Sequence, residues 1–441
     1  MDSLPAPDKA SDAGTTPTPE PSHVVGRFRW VICAVLLFGV TKNYMDRLII
    51  GLLKTTLQHD LGWSEIDYGN LVLAFTAAYG VGMLAVGRII DWLGTRSGYA
   101  LAMAAWSLAS MAHGLCGSLT SFLGARCALG FSEAGVFPAS LKAVAEWFPK
   151  RERALAAGIV NAGSNLGAII APLVVPWITV RWGWRWAFLS LGFLGFGWLA
   201  CWLWIYRSPD HHPLGSVSQL AHTHSDPVES RDQTSWVGLA RHRRTWAFVL
   251  GKFFTDPIWW FYLFWVPDFL QREHGLVLLQ VGLPIVAIYS LADVGSVAGG
   301  WLSSSLIRRG KTVNASRKTA MLICAVSVVP IVFLPRVEST WGAVLLLGLA
   351  TAAHQGFSAN LFTLPSDMFP ARAVASVVGL GGMAGAVGGM LIAKVVSYLL
   401  ESTGNYAIPF VIAGSAYLLA LAIIQILAPE LTTAGVAVNE T

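Results

Sequence analysis

From Trp30 onward the chain is a succession of apolar segments, each ~18–28 residues long, the length a helix needs to cross ~30 Å of hydrocarbon. They fall near 29–53, 69–90, 97–117, 120–144, 154–177 and 185–206, then near 246–270, 279–307, 319–335, 341–366, 373–399 and 406–427. A segment in lipid must satisfy its backbone polar groups internally, which leaves helices or closed barrels. Segments this long predict an all-α membrane protein of twelve transmembrane helices in two groups of six, with the lipid bilayer as its solvent. Only 12% of the 441 residues are charged while 54% are hydrophobic, about half the charged share of a soluble domain. A soluble two-domain enzyme, a disordered chain and a nucleic-acid module built on basic patches are excluded.

The spacing divides the chain into a proline-rich tail (1–26), a first six-helix bundle (27–206), a polar linker (207–244), a second bundle (245–428) and a short tail (429–441). The linker histidines His211, His212, His222 and His224 read as solvated residues and not as metal ligands. Cys33, Cys116, Cys127, Cys201 and Cys324 lie in apolar runs without CxxC spacing, which argues against disulfides or zinc. No cofactor and no metal is expected. The two halves also resemble each other. A shift of 213 residues sets Gly62, Gly69, Gly82 and Gly87 on Gly275, Gly282, Gly295 and Gly300. A shift of 221 sets Gly135, Phe148-Pro149, Gly158 and Gly167 on Gly356, Phe369-Pro370, Gly379 and Gly388. Duplication of this kind places a ligand site at the interface of the repeats.

Most of the 30 Lys and Arg fall in the tails, the linker and every second loop, whereas Lys54, Arg181, Arg185, Arg272 and Arg336 occupy the alternate loops. The positive-inside rule then predicts both termini in the cytoplasm.

Ionisable residues inside the apolar segments are costly in lipid and are functional candidates by default. The first segment carries Asn43-Tyr44-Met45-Asp46-Arg47. Residues 43, 44 and 47 share one helical face. Asp46 lies ~100° round from Arg47, so it can face a neighbouring helix while Arg47 faces a cavity. The fourth segment carries Arg126 and Glu133 two turns apart on one face. A buried guanidinium is a planar anion trap. A carboxylate beside it can couple protonation to anion binding, or the two can form a static bridge. In the second half Lys252 and Asp256 stand four apart before Pro257, Trp259 and Trp260, Asp293 lies on the eighth segment, and His354, Gln355 and Asn360 lie near mid-membrane. Amide and imidazole groups beside aromatic faces suit a polyhydroxylated ligand. Gly379, Gly381, Gly382, Gly385, Gly388 and Gly389 permit close helix approach. GxSxG, HExxH, P-loop and strand–helix GxGxxG motifs are absent, so no enzyme is expected.

Gly87-x-x-x-Asp91-Trp92-x-Gly94-Thr95-Arg96 resembles the loop signature of the major facilitator superfamily, with Trp92 where the family commonly has Arg. The chain over 27–428 is similar to its anion:cation symporter branch, and within it to bacterial hexuronate and sugar-acid transporters. Tyr44-Met45-Asp46-Arg47, Gly130-Phe131-Ser132-Glu133-Ala134-Gly135 with Pro138, Glu146-Trp147-Phe148-Pro149-x-Arg151-Glu152-Arg153, Ala353-His354-Gln355 and Ser366-Asp367-x-Phe369 carry the likeness. The resemblance implies a monomeric inner-membrane symporter that imports a hexuronate such as glucuronate or galacturonate with protons. The alternative is another organic anion (an aldonate or aldarate) or phosphate. It also implies that Asp46 and Glu133 take part in proton coupling, alongside Arg126, and that Tyr44, Arg47 and Tyr79 contact the substrate. Trp259, Trp260, His354, Gln355 and Asn360 are expected to meet its hydroxyls. Gly87, Asp91, Gly94 and Arg96 form the gating motif, with Asp91 reaching towards the eleventh helix in the outward-open state. Gly163-x-x-x-Gly167 with Pro172 stands where antiporters carry a Gly-Pro signature.

Overall fold

A computed structural model describes residues 23–148, 150–207, 236–369 and 371–431. The expected tails up to residue 22 and from residue 432, and the linker histidines, lie outside the described residues. What is described is helical. The first half holds α1 (His23–Leu52), α2 (Lys54–Leu61), α3 (Glu65–Leu93), α4 (Thr95–Leu115), α5 (Leu119–Glu133), α6 (Val136–Trp147), α7 (Lys150–Trp182) and α8 (Trp184–Ile205). After α9 (Trp236–Arg241) the second half holds α10 (Arg243–His274), α11 (Gly282–Arg308), α12 (Val313–Val328), α13 (Thr340–Leu361), α14 (Leu364–Met368), α15 (Ala371–Thr403) and α16 (Ala407–Leu427).

Among the described residues, seven helices are long and apolar enough to cross a membrane, and the bent α3 adds an eighth when taken as one span. α1 and α10 are not among them, because Lys42, Asp46 and Arg47 on the first and Lys252, Asp256 and Asp268 on the second dilute their apolar runs. The order of long helices and helix pairs is consistent with the twelve spans expected. Three expected segments are interrupted. The 120–144 segment breaks at Ala134-Gly135 between α5 and α6. The 341–366 segment breaks at Phe362-Thr363 between α13 and α14. The 319–335 segment tightens from α12 into a 3₁₀ turn over Val329–Arg336, which holds Pro330 and Pro335, since proline removes the donor an α-helix needs.

The repeat seen in the sequence recurs in the backbone. Gly62 and Gly275 both end a helix at φ +68° and +64°, a left-handed cap that favours glycine. Phe148 and Phe369 are both extended, as expected of residues that precede proline. Within the first half α1 packs on α7 and α8, and α3 packs on α5. Within the second, α10 packs on α15 and α16, and α11 on α13. The halves meet where α3 lies on α15, α7 on α11 and α1 on α10. Large apolar side chains such as Phe38, Phe193, Trp204, Val297 and Trp301 face outward, which suits contact with lipid.

The ties between the halves gather at one end. Lys54, fully buried at the start of α2, pairs with Glu65 at 2.8 Å and with Asp268 of the second half at 2.7 Å. Arg272 pairs with Glu65 and lies 3.7 Å from Asp268, and the Tyr406 hydroxyl donates to Asp268. The Tyr68 hydroxyl donates to the Phe264 carbonyl at 2.8 Å, and Lys394 donates to Asn70. These hydrogen bonds and ion pairs between the halves all lie on one side, the face opposite the start of α1 and the end of α16. The sequence places Lys54 in a loop as a topology charge. The structure buries it, because carboxylates arrive from two other helices to meet it.

Candidate functional site

Arg47 is the hub. Its Nε and Nη2 both donate to Oε2 of Glu133 at 3.1 Å, and Nη2 also reaches Oδ1 of Asn43 at 3.4 Å. Aromatic rings surround the guanidinium, with Tyr79 at 4.8 Å, Tyr44 at 4.9 Å, Phe75 at 5.4 Å and Trp260 at 5.5 Å from its carbon. Trp260 comes from α10, so the second half closes this cage. Ring faces attract a desolvated cation, and the carboxylate supplies the counter-charge.

Two glycine contacts set the geometry. A Cβ on Gly167 of α7 would stand 2.5 Å from the Thr41 carbonyl and 2.6 Å from the Tyr44 Cβ, and one on Gly130 of α5 would stand 2.3 Å from the Phe75 carbonyl. Only glycine lets α7 press on α1, and α5 on α3, closely enough to bring Arg47, Phe75 and Glu133 together.

Arg126 is also fully buried, with its carbon 4.5 Å from the centre of the Phe75 ring. Its three guanidinium nitrogens have no hydrogen-bond partner among the described residues, nor does Oε1 of Glu133. The bridge that the spacing of Arg126 and Glu133 offered therefore forms across helices instead, from α1 to α5. Two guanidiniums and one carboxylate leave this buried cluster with one net positive charge. An uncompensated charge out of water is expensive, and an anion would relieve it.

Asp46 points away from Arg47, as its helical position predicts. It pairs with Lys42 one turn back on α1 and accepts from the Ser110 hydroxyl at 3.1 Å.

In the second half Trp259 stacks on His354 at 5.0 Å, and His354 Nδ1 meets the Tyr417 hydroxyl at 2.6 Å. Tyr289 stands edge-on to Trp259 at 5.9 Å. Gln355 is half-buried beside His354. Asn360 stands apart: its amide donates to the carbonyls of Gly299 and Gly356, joining α13 to α11. Lys252 and Asp256 pair at 2.8 Å, and Gly385 of α15 makes room for the Asp256 carboxylate. Asp293 is half-buried on α11.

The gating signature lies at the face that carries the termini. Asp91 pairs with Lys142 of its own half at 2.8 Å, and Gly94 adopts φ +77° between α3 and α4. Arg96 donates to the Leu203 carbonyl, and Gly87 has open space around its Cα. Sequence reasoning missed Phe75, Tyr289, Tyr417 and the role of Lys42. For Lys42 the signal was available, as a lysine four residues before an intramembrane aspartate.

Comparison with known proteins places these features in a family. The model of the Major Facilitator Superfamily matches residues 36–393. The Hexuronate transporter of Escherichia coli (strain K12) is 33% identical over 383 residues, covering 85% of this chain and 88% of that protein. The D-galactonate transporter of Escherichia coli O6:H1 is 27% identical over 396 residues, covering 86% and 91%. The crystal structure of a bacterial homologue of the human lysosomal transporter Spinster, inward-facing and occupied, superposes with a TM-score of 0.69 at 17% identity, covering 91% of this chain and 96% of that one.

Proposed function

The chain belongs to the Major Facilitator Superfamily, and from that premise we propose that it carries a sugar acid across the membrane together with protons. It is a multi-pass membrane transporter and not an enzyme. The observation that carries the reading is Arg126, a buried guanidinium without a hydrogen-bond partner among the described residues, beside the Arg47–Glu133 pair. A substrate carboxylate would satisfy its fork. Tyr44, Tyr79, Trp260 and the Trp259–His354 stack, with Gln355, would line the ring and hydroxyls. Asn360, engaged between α11 and α13, would act by holding the wall.

Glu133 is the coupling acid in this reading. While ionised it occupies Arg47. A proton on Glu133 breaks that pair and frees a second guanidinium for the incoming carboxylate. The charge count supports one proton per monoanion. The empty cluster carries one net positive charge, and the cluster loaded with an anion and a proton carries the same. Both legs of the cycle then cross the same electrostatic barrier.

The substrate is a hexuronate such as glucuronate or galacturonate, a reading supported by the first relative's name. The second relative's name favours an aldonate as the alternative; aldarate and phosphate complete the set. The chain works as a monomer in the bacterial inner membrane with both termini cytoplasmic, so the arrangement described is inward-facing. Asp91, held by Lys142 in this state, is free to change partners when the halves rock. The test is uptake of labelled glucuronate into proteoliposomes under an imposed pH gradient, with unlabelled galacturonate, galactonate, galactarate and phosphate as competitors. Uphill uptake blocked best by hexuronates is expected. Failure of a pH gradient to drive any of them would overturn the reading, and stronger competition by another acid would move the substrate.

A further inference from the structure

The pairing of Asp46 bears on how many protons accompany the substrate. The nearest charge to Asp46 is Lys42, four residues back on the same helix and on the same face. Lys42 is itself sealed in: its ammonium donates to the Ser107 hydroxyl at 3.1 Å, lies 5.6 Å from the Trp106 ring centre, and would be 2.9 Å from a Cβ at Gly195. Both side chains are buried. The groups facing Asp46 are Lys42 from α1 and Ser110 from α4, while Glu133 of α5 is taken up by Arg47. α8 offers Gly195 at this level, which is neutral.

We infer that Lys42 stands in for a second proton: it holds Asp46 in a permanent, net-neutral pair, so that one proton, on Glu133, accompanies each sugar-acid anion. The inference rests on the symport reading above. An intramembrane carboxylate without a cation would have to take up a proton to cross the cycle cheaply, because a lone buried charge is costly. With an ammonium already attached, Asp46 has nothing to gain from one. The resemblance gives Asp46 a share in coupling; the pair with Lys42 withdraws it. Lys252 and Asp256 repeat the four-residue spacing on α10, the first long helix of the second half, so intrahelical neutralisation of an aspartate occurs in both halves.

The experiment measures labelled glucuronate uptake by the purified full-length chain in proteoliposomes, with a pH gradient and a potassium–valinomycin potential imposed separately. The wild type is expected to accumulate substrate under the pH gradient and to ignore an inside-negative potential. A two-proton carrier would instead accumulate about 50-fold at 100 mV, the ratio equivalent to ~2.3 kcal/mol per elementary charge. Lys42→Met is expected to gain that response, Asp46 then binding a proton from the outer side with each substrate and giving it up to the inner side on each reset. The double variant Lys42→Met/Asp46→Asn replaces the pair by neutral groups of similar size and is expected to behave as the wild type. A wild type that responds to potential, a Lys42→Met that stays electroneutral, or a double variant that loses pH-driven accumulation while retaining counterflow would each overturn the inference and leave symport standing. A wild type that ignores the pH gradient altogether would overturn symport and the inference with it.

Discussion

Arg47 donates two hydrogen bonds to a single oxygen of Glu133, leaving the other oxygen of that carboxylate buried without a partner among the described residues. The carboxylate is thus held through one oxygen, and the other keeps its lone pairs unused.

Glu133→Gln keeps the shape and removes the titratable group. Proton-driven accumulation should be lost while exchange of labelled for unlabelled substrate across the membrane continues. Measuring both in the same proteoliposome preparation checks this, and unchanged accumulation would remove Glu133 from the coupling step.

Arg126 separates binding from stability. Arg126→Ala should abolish substrate binding, by 100-fold or more in affinity, while the apparent Tm stays level or rises, because a buried charge without a hydrogen-bond partner among the described residues costs the fold more than its ring contact returns. Arg126→Lys keeps a charge but not the fork and should fall between. Thermal-shift titration with glucuronate reads both quantities, and a large loss of Tm with affinity retained would count against the role.

Lys54→Met removes the centre of the tie between the halves and leaves Asp268 buried, a change of about 3–5 kcal/mol when a buried pair is broken from one side. The variant should populate the state open at the α2 end. In a cysteine-free background, Ser397→Cys, beneath Gly69, should react with an impermeant maleimide from that side at least 10-fold faster in Lys54→Met than in wild type. Equal rates would show that this cluster does not hold the halves closed.

Gly167→Val would drive a side chain into the Thr41 carbonyl and the Tyr44 Cβ. Overpacking of this kind costs typically ~1–3 kcal/mol, and here the displaced group is the wall of the Arg47 cage. The KM for substrate should rise several-fold with protein still present in the membrane, which uptake kinetics normalised to expression would reveal.

The charges of the site were legible because lipid makes them conspicuous: Arg47, Arg126 and Glu133 stand out in apolar runs, and helical spacing alone turns Asp46 away from Arg47. Their partners were not legible. Spacing along one helix offered Arg126 to Glu133, whereas the pair that forms is set by how closely α5 and α7 approach their neighbours through Gly130 and Gly167. Asn360 has the chemistry of a sugar ligand, but its amide is used where α11 and α13 touch at Gly299 and Gly356. Lys54 reads as a loop charge because the carboxylates that bury it lie far along the chain.

With the polar ties between the halves concentrated at the α2 end, the transporter has a sidedness that an inhibitor could exploit. A bulky anion able to seat its carboxylate near Arg126, yet too large to be enclosed, would act as a wedge from the side of the termini, away from the Lys54 cluster. The same compound applied from the other side would meet a closed door of paired charges and have no effect until the cycle opened it.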